Sequence, residues 1–270
     1  MKKIIPTVLL SAGILSVCVM TENKFMLRKR CENLGGELKI FHISDNHKRN
    51  NHVFNKKIVK LAAEEMPDLI FVTGDLVSRY ETEFTETEKL LSRLGEIAPV
   101  YMCMGNHEQS LPQHKQREFL DMVNGTAARL LRNESENINV RGKRLCICGV
   151  EQDYSTYKND DSYKALDEFT LKQMKALMGE CSDRETLLLA HNPLFAETYA
   201  EWGADFTFSG HVHGGVVRIF GKGLLSPERR FFPKYSKGVY SVKNMKLLVS
   251  AGIGKLRLFN PPEVVVYNMS

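Results

Sequence analysis

The strongest constraint on this chain is a repeated junction: a short apolar run of strand type stops, and residues able to donate to a metal follow at once. It recurs five times. Leu38 to Ile43 leads into Asp45-Asn46-His47, and Leu69 to Thr73 into Gly74-Asp75. Val100 to Met104 leads into Gly105-Asn106-His107-Glu108, and Thr186 to Ala190 into His191-Asn192-Pro193. The run near Phe206 leads into Gly210-His211-Val212-His213. Strand ends of open α/β sheets are where such folds place ligand-binding residues.

Taken singly, each group has a bland explanation. Asp45 suits a helix cap, Gly74-Asp75 suits a turn, and a lone histidine is more often a surface or satisfied core residue than a ligand. Five in succession resist that explanation, and their chemistry is uniform. Carboxylate, amide oxygen and imidazole suit Mn²⁺, Fe and Zn²⁺; the lack of thiolates excludes a structural zinc ribbon.

Between the runs, the spacing predicts helices. His52 to Met66 carries Val53, Ile58, Leu61 and Ala62 in helical period and stops at Pro67; Thr85 to Ile97 and Tyr163 to Met178 follow. After Trp202 short strands are expected near Phe206 and over Val216 to Phe220, Gly238 to Val242, Lys246 to Ser250 and Glu263 to Tyr267. The fold class is therefore α/β, and residues 36–270 read as one catalytic domain.

Composition narrows the partners. Hydrophobic residues make up 43% and charged ones 26%, which fits a packed fold. Thirty-seven basic against 32 acidic side chains leave +5, short of a nucleic-acid-binding stripe, so no stable nucleic-acid partner is expected. The six cysteines are scattered without a CxxC pair, and Cys146 and Cys148 would share one strand face as small buried hydrophobes. Reduced thiols are expected.

At the N-terminus, Lys2 and Lys3 precede an apolar run from Ile4 to Met20, and Lys24, Arg28, Lys29 and Arg30 follow. This predicts a signal anchor with a juxtamembrane linker over residues 1–35, and a cell-membrane location through that single segment. Truncation before Gly35 is then expected to leave a soluble enzyme. Cys18 follows Leu15-Ser16-Val17, only loosely a lipid-attachment box.

The order D-x-H, GD, GNH-E, H-N-P, GH-x-H from Asp45 to His213 resembles the calcineurin-like metallophosphoesterases. Gly223-Leu224-Leu225-Ser226-Pro227, Phe231-Phe232-Pro233-Lys234-Tyr235 and Asn260-Pro261-Pro262-Glu263 resemble their small bacterial membrane-associated branch, of the YkuE and YaeI kind. The resemblance implies two facing mixed β-sheets flanked by helices, a four-layer αββα sandwich. It implies two divalent metal ions, Mn²⁺ first and Zn²⁺ or Fe as alternatives. Asp45, His47 and His213 would hold one, Asn106, His191 and His211 the other, and Asp75 would bridge them. A metal-bridging hydroxide would attack the phosphorus of a mono- or diester, and His107 would face the substrate.

The residues agree with these roles. Alternate positions in Asp45-x-His47 and His211-x-His213 present two side chains to one side of an extended segment, and Gly74 and Gly210 allow close backbone approach. Glu108 reads equally as a partner of a neighbouring imidazole or as a solvent-facing carboxylate. Two departures, Asn46 inside D-x-H and Ser78 after GD, touch the rim and not the ligands.

Lys222, Arg229, Arg230, Lys234 and Lys237 interleave with Phe231, Phe232 and Tyr235, so a basic aromatic loop is expected to meet lipid headgroups or another phosphorylated envelope precursor. A solvated loop over a packed aromatic core is the plainer alternative. A nucleotide or nucleic-acid phosphodiesterase is the enzyme rival, and a metal-free scaffold the rival from another class.

Overall fold

In Leu38–Ile43 the side chains of Leu38 and Ile40 enter one apolar cluster and those of Phe41 and Ile43 another, because successive residues of a strand face opposite ways. The same split recurs in Leu69–Thr73, so this sheet is buried on both faces. The structure, a computed structural model, describes residues 26–158, 166–215, 217–226, 231–254, 257 and 259–269.

The first sheet contains β1 (Arg28–Leu34), β2 (Leu38–Ile43), β3 (Leu69–Thr73), β4 (Val100–Cys103), β5 (Ala128–Leu130) and β14 (Glu263–Met269). Their order is β1-β14-β2-β3-β4-β5, with β14 antiparallel to β2 and the other pairs parallel. The second contains β6 (Glu134–Val140), β7 (Lys143–Val150), β8 (Glu185–Ala190), β9 (Phe206–Ser209), β12 (Gly238–Val242) and β13 (Met245–Val249). Its order is β12-β13-β9-β8-β7-β6, parallel in the middle and antiparallel at both ends. A small hairpin, β10 (Arg218–Ile219) with β11 (Lys222–Gly223), stands apart.

Ile40, Phe71 and Tyr267 of the first sheet meet Ile147, Leu189 and Phe208 of the second in one buried cluster. Outside the first sheet, α1 (His52–Glu65), α2 (Thr85–Gly95) and α4 (Gln113–Asn124) lay Ile58, Leu91 and Phe119 against Ile70 and Val72. Outside the second, α5 (Leu171–Met178) and α6 (Ala196–Trp202) lay Met174 and Tyr199 against Cys148 and Leu188. Each such side chain, fully buried, contributes about 1.5–3 kcal/mol. The expected four-layer αββα sandwich is what forms, and Cys146 and Cys148 do share a buried face as free thiols.

Three expectations need correction. The single N-terminal anchor in the cell membrane does not stand, since no helix among the described residues is long and apolar enough to cross a membrane. The segment on which it rested, Ile4 to Met20, lies outside the described residues. Next, residues 28–34, expected as linker, form β1, paired with β14 from Arg28↔Glu263 to Leu34↔Met269. Backbone pairing and the Arg30 bond to Glu263 hold this edge strand, so truncation before Gly35 would strip it. Lastly, the helix expected over Tyr163 to Met178 begins at Leu171, because Thr170 caps it with a box closed by Gln173. Residues 159–165 lie outside the described residues.

Candidate metal centre

Strands β2, β3, β4, β8 and β9 end on one side of the sandwich, and the five polar groups follow them there. The backbone is not extended at these positions. Asp45, Asp75, His211 and His213 have φ of 52°, 53°, 65° and 53°, a left-handed conformation uncommon for residues with a Cβ. His47 opens a 3₁₀ turn, His47–Arg49. The expectation that alternate residues of an extended segment present the ligands is therefore replaced: tight turns aim them.

Backbone bonds lock the turns together. Asp45 N donates to Gly74 O at 3.1 Å and His47 N to Asp75 O at 3.0 Å, while His211 N donates to both Asp45 carboxylate oxygens at 3.1 Å. The glycines are where the fit is tightest. A Cβ at Gly74 would lie 2.5 Å from Gly105 N, and one at Gly210 would lie 1.7 Å from Ser44 Oγ.

The structure brings six of the seven predicted ligands, Asp45, His47, Asp75, His191, His211 and His213, into overlapping donor groups. Donor atoms of Asp45, His47 and His213 lie within 4.8 Å of one another, as do those of Asp75, His191 and His211. Asp75 also groups with His47 and His107. His191 Nε2 is 3.4 Å from Asp75 Oδ2, and His213 Nε2 is 3.4 Å from Asp45 Oδ1. Asn106 Oδ1 and His191 Nε2 are buried without a hydrogen-bond partner. Buried polar atoms are normally satisfied, so orphans converging from separate loops fit a cation that accepts their lone pairs. The divalent ions that this fold family implies suit the donor set of carboxylate, amide oxygen and imidazole.

Protonation fits as well. Burial pushes the His47 imidazole down to about 3, leaving it neutral as ligation requires. Burial opposes charge on His191 and on Asp75 alike, but each stabilises the other's charge. Asp75 therefore raises His191 to about 10, and His191 with His107 holds the Asp75 carboxyl well below the usual range. His191 Nδ1 lies 2.6 Å from Thr73 O, so it donates there and leaves Nε2 for the cluster.

His107 stacks on His47 at 4.7 Å between ring centroids, and its Nε2 is 3.8 Å from Asp75 Oδ2. Burial lowers its pKa. Glu108 is neither a partner of an imidazole nor a solvent-facing acid. Fully buried, it accepts from Asp75 N at 2.8 Å, Gly105 N at 2.9 Å and Val77 N at 3.0 Å, tying the Asp75 turn to the one-turn helix α3 (Asn106–Gln109).

Two supports carry no mark in the sequence. The Tyr157 ring packs 5.0 Å from His211 and 5.9 Å from His191, and its hydroxyl donates to Gln152 Oε1 at 2.9 Å. Arg257, on the loop before β14, donates to His213 O at 3.3 Å. Both sit in irregular segments, where no periodicity singles them out.

The expected basic loop is less basic than its composition. Lys234 pairs with Glu197 and Lys237 with Glu263, while Arg229 and Arg230 lie outside the described residues. Of its aromatic residues Phe231 and Phe232 are largely exposed, whereas Tyr235 is buried in the core; Phe220, on the preceding hairpin, is fully exposed.

A two-sheet sandwich whose parallel strands end in clustered carboxylates, imidazoles and an amide defines a phosphoester hydrolase of the metal-dependent kind. The chain belongs to the calcineurin-like phosphoesterase family, whose model matches residues 38–215. It is 30% identical over 241 residues to the uncharacterized protein YpbG of Bacillus subtilis, covering 86% of this chain and 81% of that protein. It is 24% identical to the phosphodiesterase YaeI of Escherichia coli, covering 78% and 73% respectively. It is also 24% identical to the UDP-2,3-diacylglucosamine pyrophosphatase LpxG of Chlamydia muridarum, covering 92% and 88%.

Proposed function

We propose that the cluster is a dinuclear centre for hydrolysis of phosphoester bonds. Asp45, His47 and His213 would hold one cation, Asn106, His191 and His211 the other, and Asp75 would serve both. The observation that carries this reading is the membership of Asp75 in two donor groups, one with His47 and His107 and one with His191 and His211, while His47 also belongs to the group of Asp45 and His213. Two divalent ions supply Lewis acidity toward the phosphoryl oxygens and activate water near neutral pH, with Mn²⁺ the first candidate.

The chain's own residues do the rest. Asp75, buried and ionised, would offset the repulsion between two bound cations. His107, on the open side of the cluster and partly exposed, stands where a phosphoryl oxygen or departing alkoxide would be met. Glu108 fixes the Asp75 turn so that neither ligand geometry nor charge placement has to be reorganised during reaction.

The substrate that fits the rim is a phosphorylated lipid or envelope precursor. Exposed Phe220, Phe231 and Phe232 support this, as does the likeness to a diacylglucosamine pyrophosphatase. All seven ligand positions are filled, six of them fall in overlapping donor groups and Asn106 Oδ1 is buried without a partner, which favours an enzyme over a metal-free scaffold. Metal analysis of the purified chain should give two divalent ions, with bis-p-nitrophenyl phosphate hydrolysis abolished by EDTA and restored by Mn²⁺. One ion per chain at full activity would overturn the dinuclear reading.

A further inference from the structure

We infer that Asn260 is a positioning residue for His213, and that the segment from Ala251 to Glu263 fixes one of the two cation positions and not the other. This rests on the dinuclear reading and adds the side chain outside the ligand set on which one of its positions depends.

His213, Gly214 and Gly215 have φ of 53°, 70° and 86°, three left-handed residues in succession. Such a run continues neither a strand nor a helix, so its carbonyl groups lack the partners that regular structure supplies. For His213, which carries a Cβ, the conformation is also strained and persists only where the surroundings impose it. Side chains from later in the chain meet that need. Asn260 Nδ2 donates to His213 O at 2.5 Å and to Gly215 O at 3.1 Å, while Arg218 Nη1 donates to Gly214 O at 3.0 Å. Arg257 Nη1 adds a longer bond to His213 O, 3.3 Å. Both acceptors of Asn260 are carbonyl oxygens, so the NH₂ end of its amide is the end that faces them. Asn260 is 1% exposed and the fit around it is tight: a Cβ at Gly214 would lie 2.7 Å from its Nδ2.

The same segment backs the other two ligands of that position. Ile253 N donates to Ser44 O at 3.1 Å and to Asp45 O at 3.3 Å. A Cβ at Gly252 would lie 2.7 Å from Asp45 Oδ2, and one at Gly254 would lie 2.8 Å from His47 Nε2. Glu263 closes the segment on itself, its N donating to Gly252 O at 2.9 Å and its Oε1 accepting from Ala251 N at 3.1 Å. Pro261 and Pro262, between Asn260 and Glu263, have fixed φ and keep the two anchors at a set spacing. Asp45, His47 and His213 thus share one support, which lies beyond the residues 38–215 that the family model matches.

The ligands of the other position are braced from elsewhere. His191 Nδ1 rests on Thr73 O, His211 N donates to the Asp45 carboxylate, and the Tyr157 ring packs on both imidazoles. Asn260 therefore acts through the His213 backbone and sets where that imidazole stands against Asp45, whose Oδ1 is 3.4 Å from His213 Nε2. Partners that orient a ligand tune metal affinity without binding the ion themselves.

The test uses the full chain, stripped of metal with EDTA and dialysed, and reads Mn²⁺ binding by calorimetric titration. Wild type should take up two ions. Asn260→Asp keeps the shape of the side chain and removes both N–H donors; it should weaken one binding step about 10–100-fold and leave the other unchanged. Asn260→Ser, which keeps one donor on a shorter side chain, should fall between, and it carries the test alone if the aspartate variant does not fold. Because Asn260 acts through His213, the same substitution in a His213→Ala chain should leave the affinity of the remaining ion unchanged. A merely structural role would lower that affinity too. Equal weakening of both steps, no weakening of either, or a further loss in the His213→Ala chain overturns the inference. A wild-type chain that binds a single ion would instead count against the dinuclear reading. Asn260 would then stand if that ion binds more weakly in Asn260→Asp and His213→Ala cancels the difference, and fall if it binds equally well.

Discussion

Asp75 is 1% exposed and Phe220 is 100% exposed, yet the hairpin that carries Phe220 begins within a few residues of His213 in the chain. The Asp75 turn is held by Glu108, by His47 N and by His107 N, which donates to Asp75 Oδ1 at 2.7 Å. Phe220 sits at the turn between two strands of two residues each, and Arg218 braces that hairpin through the carbonyls of Gly214 and Gly221. In the cluster, the backbone N–H groups of Asp45, His47 and His211 are each tied to another loop. In the hairpin, the bonds support the turn and leave its aromatic tip in water. The difference separates two tasks: charge placement needs positions fixed before substrate arrives, whereas contact with a surface needs apolar groups left uncovered.

Replacing Asp75 should break the contrast most severely. Asp75→Asn keeps the shape and removes the charge shared by both donor groups. The expected loss in kcat/KM on bis-p-nitrophenyl phosphate exceeds the ~10–100-fold typical of an outer-shell partner, with bound metal falling below two ions per chain. Wild-type metal content with undiminished turnover would remove Asp75 from the bridging role.

Glu108→Ala comes next and sharpens the same point one layer out. Three buried N–H groups lose a shared acceptor, at a cost of about 1–3 kcal/mol each before relaxation. Metal affinity should drop about 10–100-fold, with a lower melting temperature in the metal-free chain. Calorimetric titration with Mn²⁺ measures the first and thermal unfolding the second; an unchanged affinity would mean that the turn is fixed without Glu108.

These two positions mark how far the sequence could be read. The ligand order was legible because each parallel strand is a continuous apolar run that ends at polar residues, and β2, β3, β4, β8 and β9 all do so. Edge strands gave no such signal. β1 (RKRCENL) and β6 (ESENINV) are half exposed and polar, and they exist because β14 and β7 offer them backbone partners. Helix α4 escaped for a related reason, burying only Phe119 and Val123 along twelve residues. Glu108 was ambiguous because its burial depends on loops from β3 and β4 closing over it, a tertiary fact. The left-handed turns at Asp45 and His211 were hidden too, since neither residue type demands that conformation.

The smallest expected effect belongs to the hairpin, and it is the one that isolates the rim from the chemistry. Phe220→Ser removes a fully exposed phenyl group, so stability and hydrolysis of p-nitrophenyl phosphate should match wild type. If the hairpin touches a lipid surface, each lost phenyl group removes part of the apolar area that enters the headgroup region. Turnover of a phosphorylated lipid presented in vesicles should then fall several-fold, and a Phe220→Ser/Phe232→Ser pair should fall further. Equal loss on the soluble and the vesicle-borne substrate would place the hairpin in the catalytic machinery, and no loss on either would leave the exposed phenylalanines without a part in substrate capture.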